Sequence, residues 1–299
     1  MTDTNTVTVV RDESLIKKTK AKSIAGKIGI YAFLVIYAII ILFPFFVVIL
    51  TSFKTAADAS NPEFSWWPTE GFTIEGYEAA LTSPLVPTPL MRAFLNTLMY
   101  VIPPTILGLM TSSLAAYAFA KLRFRASKAM YTALLATMMI PGAITISSTY
   151  TVFDTIGWVG TPLPLMIPGA FGSAACVFFM RQFFTGIPDS IIEAAKLDGV
   201  GFVGIFFTIM VPLSTPALIA QGLLGFIGGY NDYLWPLLYT NVPGMQTLQI
   251  SLKQFTGMFG SRPNIVMAGT LVALVPTLII YFFAQDFFIE GIAASGIKG

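Results

Sequence analysis

Six stretches of this chain are long and apolar enough to cross a lipid bilayer, and they run over 28–53, 94–120, 129–150, 163–184, 211–238 and 265–288. A membrane-crossing helix needs about 20 mostly apolar residues, because the hydrocarbon core is about 30 Å thick. Hydrophobic residues make up 55% of the chain and charged residues 11%. Soluble domains carry about 25% charged residues, so the polar skin that keeps a domain in water is missing. Within lipid every backbone polar group must be paired inside the chain, which leaves helices or a closed barrel. Runs of this length predict an all-α integral membrane protein with six transmembrane helices.

The basic residues orient those spans. Arg11, Lys17, Lys18, Lys20, Lys22 and Lys27 precede the first span. Lys121, Arg123, Arg125 and Lys128 lie in the second loop, Arg181 and Lys196 around the fourth, and Lys298 at the end. Only Lys54, Arg92, Lys253 and Arg262 fall on the opposite side, beside the acidic first loop over 54–93. Lys and Arg are retained on the cytoplasmic side, so both termini are expected there, with 1–27 as a cytoplasmic tail and not a cleavable leader. Each span also holds helix breakers: Pro44, Pro103-Pro104, Pro141-Gly142, Pro164 with Pro168, Pro212 with Pro216, and Pro276. Such breaks predict kinked helices around a pathway, against the alternative of ordinary membrane-helix kinking.

Several chemistries are disfavoured by content alone. Histidine is absent and Cys176 is the single cysteine, which removes the commonest general base, the usual metal clusters and any internal disulfide. No G-x-x-x-x-G-K-[ST] phosphate loop, H-E-x-x-H or convincing G-x-S-x-G elbow occurs. No catalytic residue, metal site or cofactor site is expected in this chain.

The fourth loop is the most informative. Ser190 and Glu193 have the spacing of a capping box, which predicts a helix start. Ile191, Ile192, Ala194, Ala195 and Leu197 give that short helix an apolar side, and Asp198-Gly199 ends it, glycine taking a left-handed conformation. A second helical stretch over 202–210 leads to Pro212. The physical reading leaves two outcomes open: an interfacial amphipathic helix, or a helix that docks a partner.

Glu193-Ala194-Ala195, Gly199, Ile209 and Pro212 together resemble the EAA motif of binding-protein-dependent ABC importer permeases. That pattern is E-A-A, three residues, G, nine residues, I, one residue, L-P; Val211 stands here in place of its leucine. Tyr230-Asn231-Asp232-Tyr233-Leu234-Trp235-Pro236-Leu237 resembles the W-N-D/E-x-x-x-P-L segment of sugar permeases, with Tyr230 for tryptophan. Thr247-Leu248-Gln249 is similar to a following T-L-P stretch, and Gly296-Ile297-Lys298-Gly299 to the ending of the maltose-permease-like branch. The resemblance spans most of 28–299, the transmembrane domain, with the EAA loop at 186–212. It implies a cytoplasmic coupling loop in which Glu193, Ala194, Ala195, Asp198 and Gly199 meet an ATP-hydrolysing subunit.

The implied partners are a second permease, two ATP-binding subunits that hold the ATP, and an extracytoplasmic substrate-binding protein. The implied function is uptake of a sugar or oligosaccharide across the cytoplasmic membrane. An ABC permease for a polyol phosphate, a secondary transporter and a membrane-embedded enzyme are the alternatives. An Asp near a span's centre costs about 2.5–3.5 kcal/mol on insertion scales, which singles out Asp232. With Tyr230, Asn231, Tyr233 and Trp235 it forms a polar-aromatic cluster suited to sugar hydroxyls and ring faces, or else an interfacial belt. Asn96, Tyr100, Ser147, Ser148 and Gln221 are further pathway candidates.

Overall fold

The computed structural model describes the backbone of residues 13–63 and 65–296, and the side chains of 26–63 and 65–282. The first part of the expected N-terminal tail (1–12) and the terminal Ile297-Lys298-Gly299 lie outside the described residues. The chain begins with α1 (Glu13–Ser52), α2 (Ala56–Ala59), α3 (Glu75–Thr82) and α4 (Leu90–Lys121). Next come α5 (Ser127–Thr137), α6 (Gly142–Thr155), α7 (Leu163–Ala170), α8 (Ala174–Thr185) and α9 (Asp189–Leu197). After these follow α10 (Phe202–Ile205), a π turn over Phe206–Met210, α11 (Val211–Leu213) and α12 (Thr215–Tyr230). The remaining helices are α13 (Leu234–Tyr239), α14 (Leu248–Phe259) and α15 (Pro263–Gly296). No strand occurs among the described residues, as the sequence predicts.

Among the described residues four segments cross a bilayer by length and composition: Gly26–Ser52, Leu90–Lys121, Leu163–Thr185 and Pro263–Phe282. Two bent pairs bring the number to six if each counts as one span. Ser127–Thr137 and Gly142–Thr155 meet at 95°, and Phe202–Leu213 and Thr215–Tyr230 at 82°. The first bend falls at Pro141, which has no N–H to donate and pushes its predecessor out of the helical region. The second falls at Ser214, between Pro212 and Pro216. The fifth window is therefore displaced from its expected limits. Its helix reaches back to Phe202, closes at Tyr230, and hands over to the separate α13.

Other breakers do not break. Pro44, Pro103, Pro104 and Pro276 sit inside the continuous α1, α4 and α15. The helical hydrogen bonding runs on past those positions, because one lost N–H donor is tolerated when the rest of a long helix is packed or lipid-clad. The helix α1 also begins at Glu13, so the second half of the expected tail continues the first span as helix.

Two apolar clusters organise the bundle, and α4 runs through both. Near its start, Leu90 and Val101 pack with Phe226, Tyr230, Leu248, Phe255 and Ile265 from α12, α14 and α15. Near its end, Ala116 and Tyr117 pack with Met180, Phe184, Ile192, Ile205 and Phe206 from α8 to the π turn. Between the clusters α4 presents small residues. A Cβ on Gly108 would overlap the carbonyl oxygen of Gly169, and one on Gly172 would overlap Ser112 Oγ. That close approach is tied by Thr111 Oγ1 donating to the Ala170 carbonyl at 3.0 Å and by the Ser173 amide donating to Ser112 Oγ at 3.1 Å. Most side chains of α1 from 26 to 46 are exposed apolar groups, which water does not favour and lipid does.

In the loop after α1, buried Asp58 accepts from the Thr69 amide (2.8 Å) and hydroxyl (3.0 Å) and from Ser65 Oγ (3.2 Å). Desolvation pulls its carboxyl upward, but these hydrogen bonds and the Lys54 charge outweigh it and hold the group below the ordinary carboxylate range.

Gly172 has φ +86° as well as no room for a Cβ. Gly172→Ala should therefore lower stability by about 1–3 kcal/mol from backbone strain alone, with the overlap added. Gly142→Ala, where no atom lies within 4 Å of the new Cβ, should be neutral. Thermal unfolding of both variants in detergent checks the contrast.

Candidate functional site

Two places collect the residues that sequence reasoning singled out: the short helix α9 with its exit turn, and a cavity beside the middle of α4.

The helix α9 starts two residues earlier than expected. Pro188, with φ −59° and ψ 135°, holds the cap position and makes no side-chain cap bond. Ser190 therefore already lies inside the first turn, and the expected Ser190–Glu193 capping box does not form. Proline's fixed φ suits a helix entrance, and a carboxylate just after it complements the positive end of the helix dipole. Asp189 supplies that carboxylate. Lys121 Nζ, at the end of α4, donates to Asp189 Oδ1 at 2.6 Å and to the Ile187 carbonyl at 2.6 Å. The hydrogen bond from Lys121, followed by its charge, holds the Asp189 carboxyl below the ordinary range. The two partners are 68 residues apart, so no local sequence signal announces the pair.

The expected apolar side of α9 is divided between two directions. Ile192 and Ala195, three residues apart, are buried in the cluster around Phe184 and Phe206. Ile191, Ala194 and Leu197, also three apart, face outward, and Leu197 is 89% exposed. Glu193 is exposed and has no hydrogen-bond or ion-pair partner among the described residues. The helix closes as the sequence predicts. Asp198 is the cap and Gly199 has φ +79°. The Val200 amide donates to the Ala195 carbonyl at 2.9 Å and the Gly199 amide to Lys196 at 3.1 Å, the paired bonds of a Schellman turn. Beyond it, Tyr117 of α4 stacks on Phe202 with centroids 4.5 Å apart and on Phe206 at 5.7 Å.

The cavity, about 310 Å³, lies between α4, α7, α8, α12 and α13. Glycines 108, 169, 172, 225 and 229 form much of its wall, and Tyr100, Ser173, Gln221, Asp232 and Thr247 give it polar character. Thr247 Oγ1 is buried with no partner among the described residues. Asp232 Oδ1 accepts from the Leu234 amide at 3.1 Å and the Trp235 amide at 3.4 Å, so it also nucleates α13. Cys176 lines the same space.

The other pathway candidates lie elsewhere. Tyr230 is buried in the core, its hydroxyl donating to the Ala273 carbonyl at 2.8 Å. Asn231 turns back to the Ile227 carbonyl (2.9 Å), Tyr233 is exposed, and Trp235 stacks on Tyr239. Asn96 clamps the loop before α14, donating to the carbonyls of Gly244 and Gln246 at 3.0 Å each. Ser147 and Ser148 are exposed on α6. Thus Asp232, Tyr100 and Gln221 come together, and the aromatic cluster does not. Gln249, the departure from the T-L-P pattern, donates to the Tyr230 carbonyl at 3.3 Å and so ties the end of α12 to α14. Sequence reasoning missed Thr88 and Thr97, whose hydroxyls accept from the Gly244 and Leu248 amides at 2.8 Å each.

Residues 108–292 match the family described as binding-protein-dependent transport system inner membrane component. The chain is 33% identical over 206 residues to the arabinooligosaccharides transport system permease protein AraQ of Halalkalibacterium halodurans, covering 69% of this chain and 74% of that one. It is 30% identical over 270 residues to the trehalose/maltose transport system permease protein MalG of Thermococcus litoralis, covering 89% and 94%. Its fold is similar to that in the crystal structure of a bacterial ABC transporter involved in the import of the acidic polysaccharide alginate. That match has a TM-score of 0.75 at 23% identity and covers 90% of this chain and 98% of the other.

The Lys121–Asp189 pair gives α9 a defined pH response. Because the folded carboxyl is depressed, its contribution is full above the unfolded value of about 4 and is lost as pH falls through the lower folded one. Hydrogen exchange in the α9 amides should stay slow from neutral pH down to about 4. Lys121→Met should speed that exchange at neutral pH, and an unchanged rate there would show that the pair does not anchor the helix.

Proposed function

We propose that this chain, which belongs to the family of binding-protein-dependent transport system inner membrane components, is the permease subunit of an ABC importer that carries a sugar or oligosaccharide. It sits as a multi-pass protein in the cytoplasmic membrane with both termini on the cytoplasmic side. The end of the bundle that carries α9 also carries Lys121, Arg123, Arg125 and Lys128, which supports that orientation. A second permease, two ATP-binding subunits and an extracytoplasmic substrate-binding protein complete the importer. ATP is bound and hydrolysed by the partner subunits.

The observation that carries the reading is the outward face of α9. Ile191, Ala194 and Leu197 form a small apolar ridge that the described residues leave uncovered, with Glu193, unpaired among those residues, beside it. Lys121 ties the same helix to α4, Ile192 and Ala195 are buried in the cluster that holds Tyr117 of α4, and Tyr117 stacks on Phe202 just beyond the helix. A partner that grips the ridge therefore moves α4, and α4 lines the cavity. Alternating access requires that link between a site of force and a site of passage.

The cavity and the relatives both favour a hydroxyl-rich substrate. Tyr100, Gln221, Asp232 and the unpartnered Thr247 hydroxyl offer hydrogen bonds on an otherwise narrow wall of glycines and prolines, which suits hydroxyl-rich ligands. The relatives AraQ and MalG are named for arabinooligosaccharide and for trehalose or maltose transport.

Uptake of labelled arabinooligosaccharides and maltodextrins by cells expressing the complete importer tests the reading. Leu197→Asp leaves the fold alone, since the side chain is 89% exposed, but puts a charge into the docking ridge. It should reach the membrane in normal amounts and lower uptake about ten-fold or more, the cost of losing one interface anchor. Normal uptake in that variant, or uptake that survives depletion of ATP, defeats the proposal.

A further inference from the structure

A second concavity, of about 560 Å³, opens where α4 ends and α5 begins, at the same end of the bundle as α9. Its lining carries Arg123, Arg125, Lys128 and Arg181 and, among the described residues, no carboxylate. Asp189 is near enough to feel the Arg123 charge, but its bonded oxygen is taken by Lys121. Four like charges held around one hollow repel one another, and an anion between them removes the cost.

The hollow is built for more than charge. Arg181 Nε donates to the Phe119 carbonyl at 3.3 Å, and its guanidinium lies 4.2 Å from the centre of the Tyr131 ring, so this cation is fixed in place. The Tyr131 hydroxyl is buried with no partner among the described residues. The helix α5 starts here at Ser127 without a side-chain cap, and the amides of Lys128 and Ala129 in its first turn have no acceptor among the described residues. Uncapped amides at a helix start, with guanidinium groups around them, bind phosphate oxygens. Beyond the hollow the chain turns apolar side chains outward, Met130 within α5 and Met138, Met139 and Ile140 just after it. The ligand that fits both regions is amphiphilic, with a phosphate at one end and hydrocarbon at the other.

We propose that this pocket binds the phosphodiester headgroup of an anionic phospholipid at the membrane surface, with its acyl chains along α5. The site is separate from both the α9 ridge and the α4 cavity, and it does not depend on what the protein transports. Basic hollows between membrane helices at the cytoplasmic surface are suited to such headgroups.

The test uses the full chain in the complex in which it is purified, reconstituted with equal amounts of phosphatidylglycerol and phosphatidylcholine and then stripped gently before native mass spectrometry. Phosphatidylglycerol should remain bound in preference to phosphatidylcholine, and excess inorganic phosphate should not displace it. Arg123→Gln, Arg125→Gln and Lys128→Gln combined should weaken retention about a hundred-fold, each charge near the surface contributing about a factor of five. Arg123→Lys with Arg125→Lys keeps the charge, should keep the lipid, and controls for folding. Equal retention of the two lipids by the unmodified chain overturns the proposal, as does unchanged retention in the triple variant. Displacement by phosphate alone makes the hollow a free-anion site, and protection of Arg123 from an arginine-modifying reagent only when a partner subunit is present makes it a protein contact; either result overturns the lipid assignment.

Discussion

The close approach of α4 to α7 and α8 is the contact on which the rest of the fold depends. In lipid there is no hydrophobic drive to press helices together, so association rests on packing and on hydrogen bonds between helices. Gly108 lets the Gly169 carbonyl reach the α4 backbone, and Gly172, at φ +86°, turns the chain so that α8 can run alongside. Ser112 and Thr111 then supply the cross-links. Larger residues at those glycines would separate the helices, and the cavity wall that they form would no longer exist. The same glycines therefore serve stability and the shape of the passage.

The helix α4 also joins the two ends of the molecule. At one end it holds α9 through Lys121 and the loop beyond it through Tyr117; in the middle it lines the cavity; at the other end Asn96 and Thr97 fasten the loop that contains Thr247. The π turn over Phe206–Met210 lies between α9 and α12, just before Pro212, which offers no N–H to the preceding turn. In the importer proposed above, a long helix beside a segment with irregular pairing lets force applied at α9 tilt one element against another.

Much of this was legible in the sequence, for identifiable reasons. The spans follow from apolar length, and Gly199 follows from the one backbone conformation that closes α9, confirmed at φ +79° with a Schellman pair. Interactions that depend on distant partners were not legible. Pro188 and Lys121 decide where α9 begins, overriding the local Ser190–Glu193 signal. Pro103 and Pro104 do not end α4, which runs on as one helix from Leu90 to Lys121. Tyr230 and Asn96 look like ligand contacts by chemistry, yet their partners are the Ala273, Gly244 and Gln246 carbonyls, and nothing in a one-dimensional pattern reveals those.

Asp232 shows how one side chain answers two demands. Between α12 and α13 the backbone must turn, and its carboxylate binds the free amides of Leu234 and Trp235 that the turn creates. The same carboxylate lines the cavity. A half-buried acid that is already bonded to backbone amides is held in place, so it presents a fixed acceptor at little further cost in side-chain entropy. Its neighbours in the wall, Gln221 and Tyr100, come from different helices, so the polar groups converge only while α4 and α12 keep their present spacing. In the proposed importer a cavity built in this way loosens its hold when the helices part, which is the property that the passage of a ligand requires.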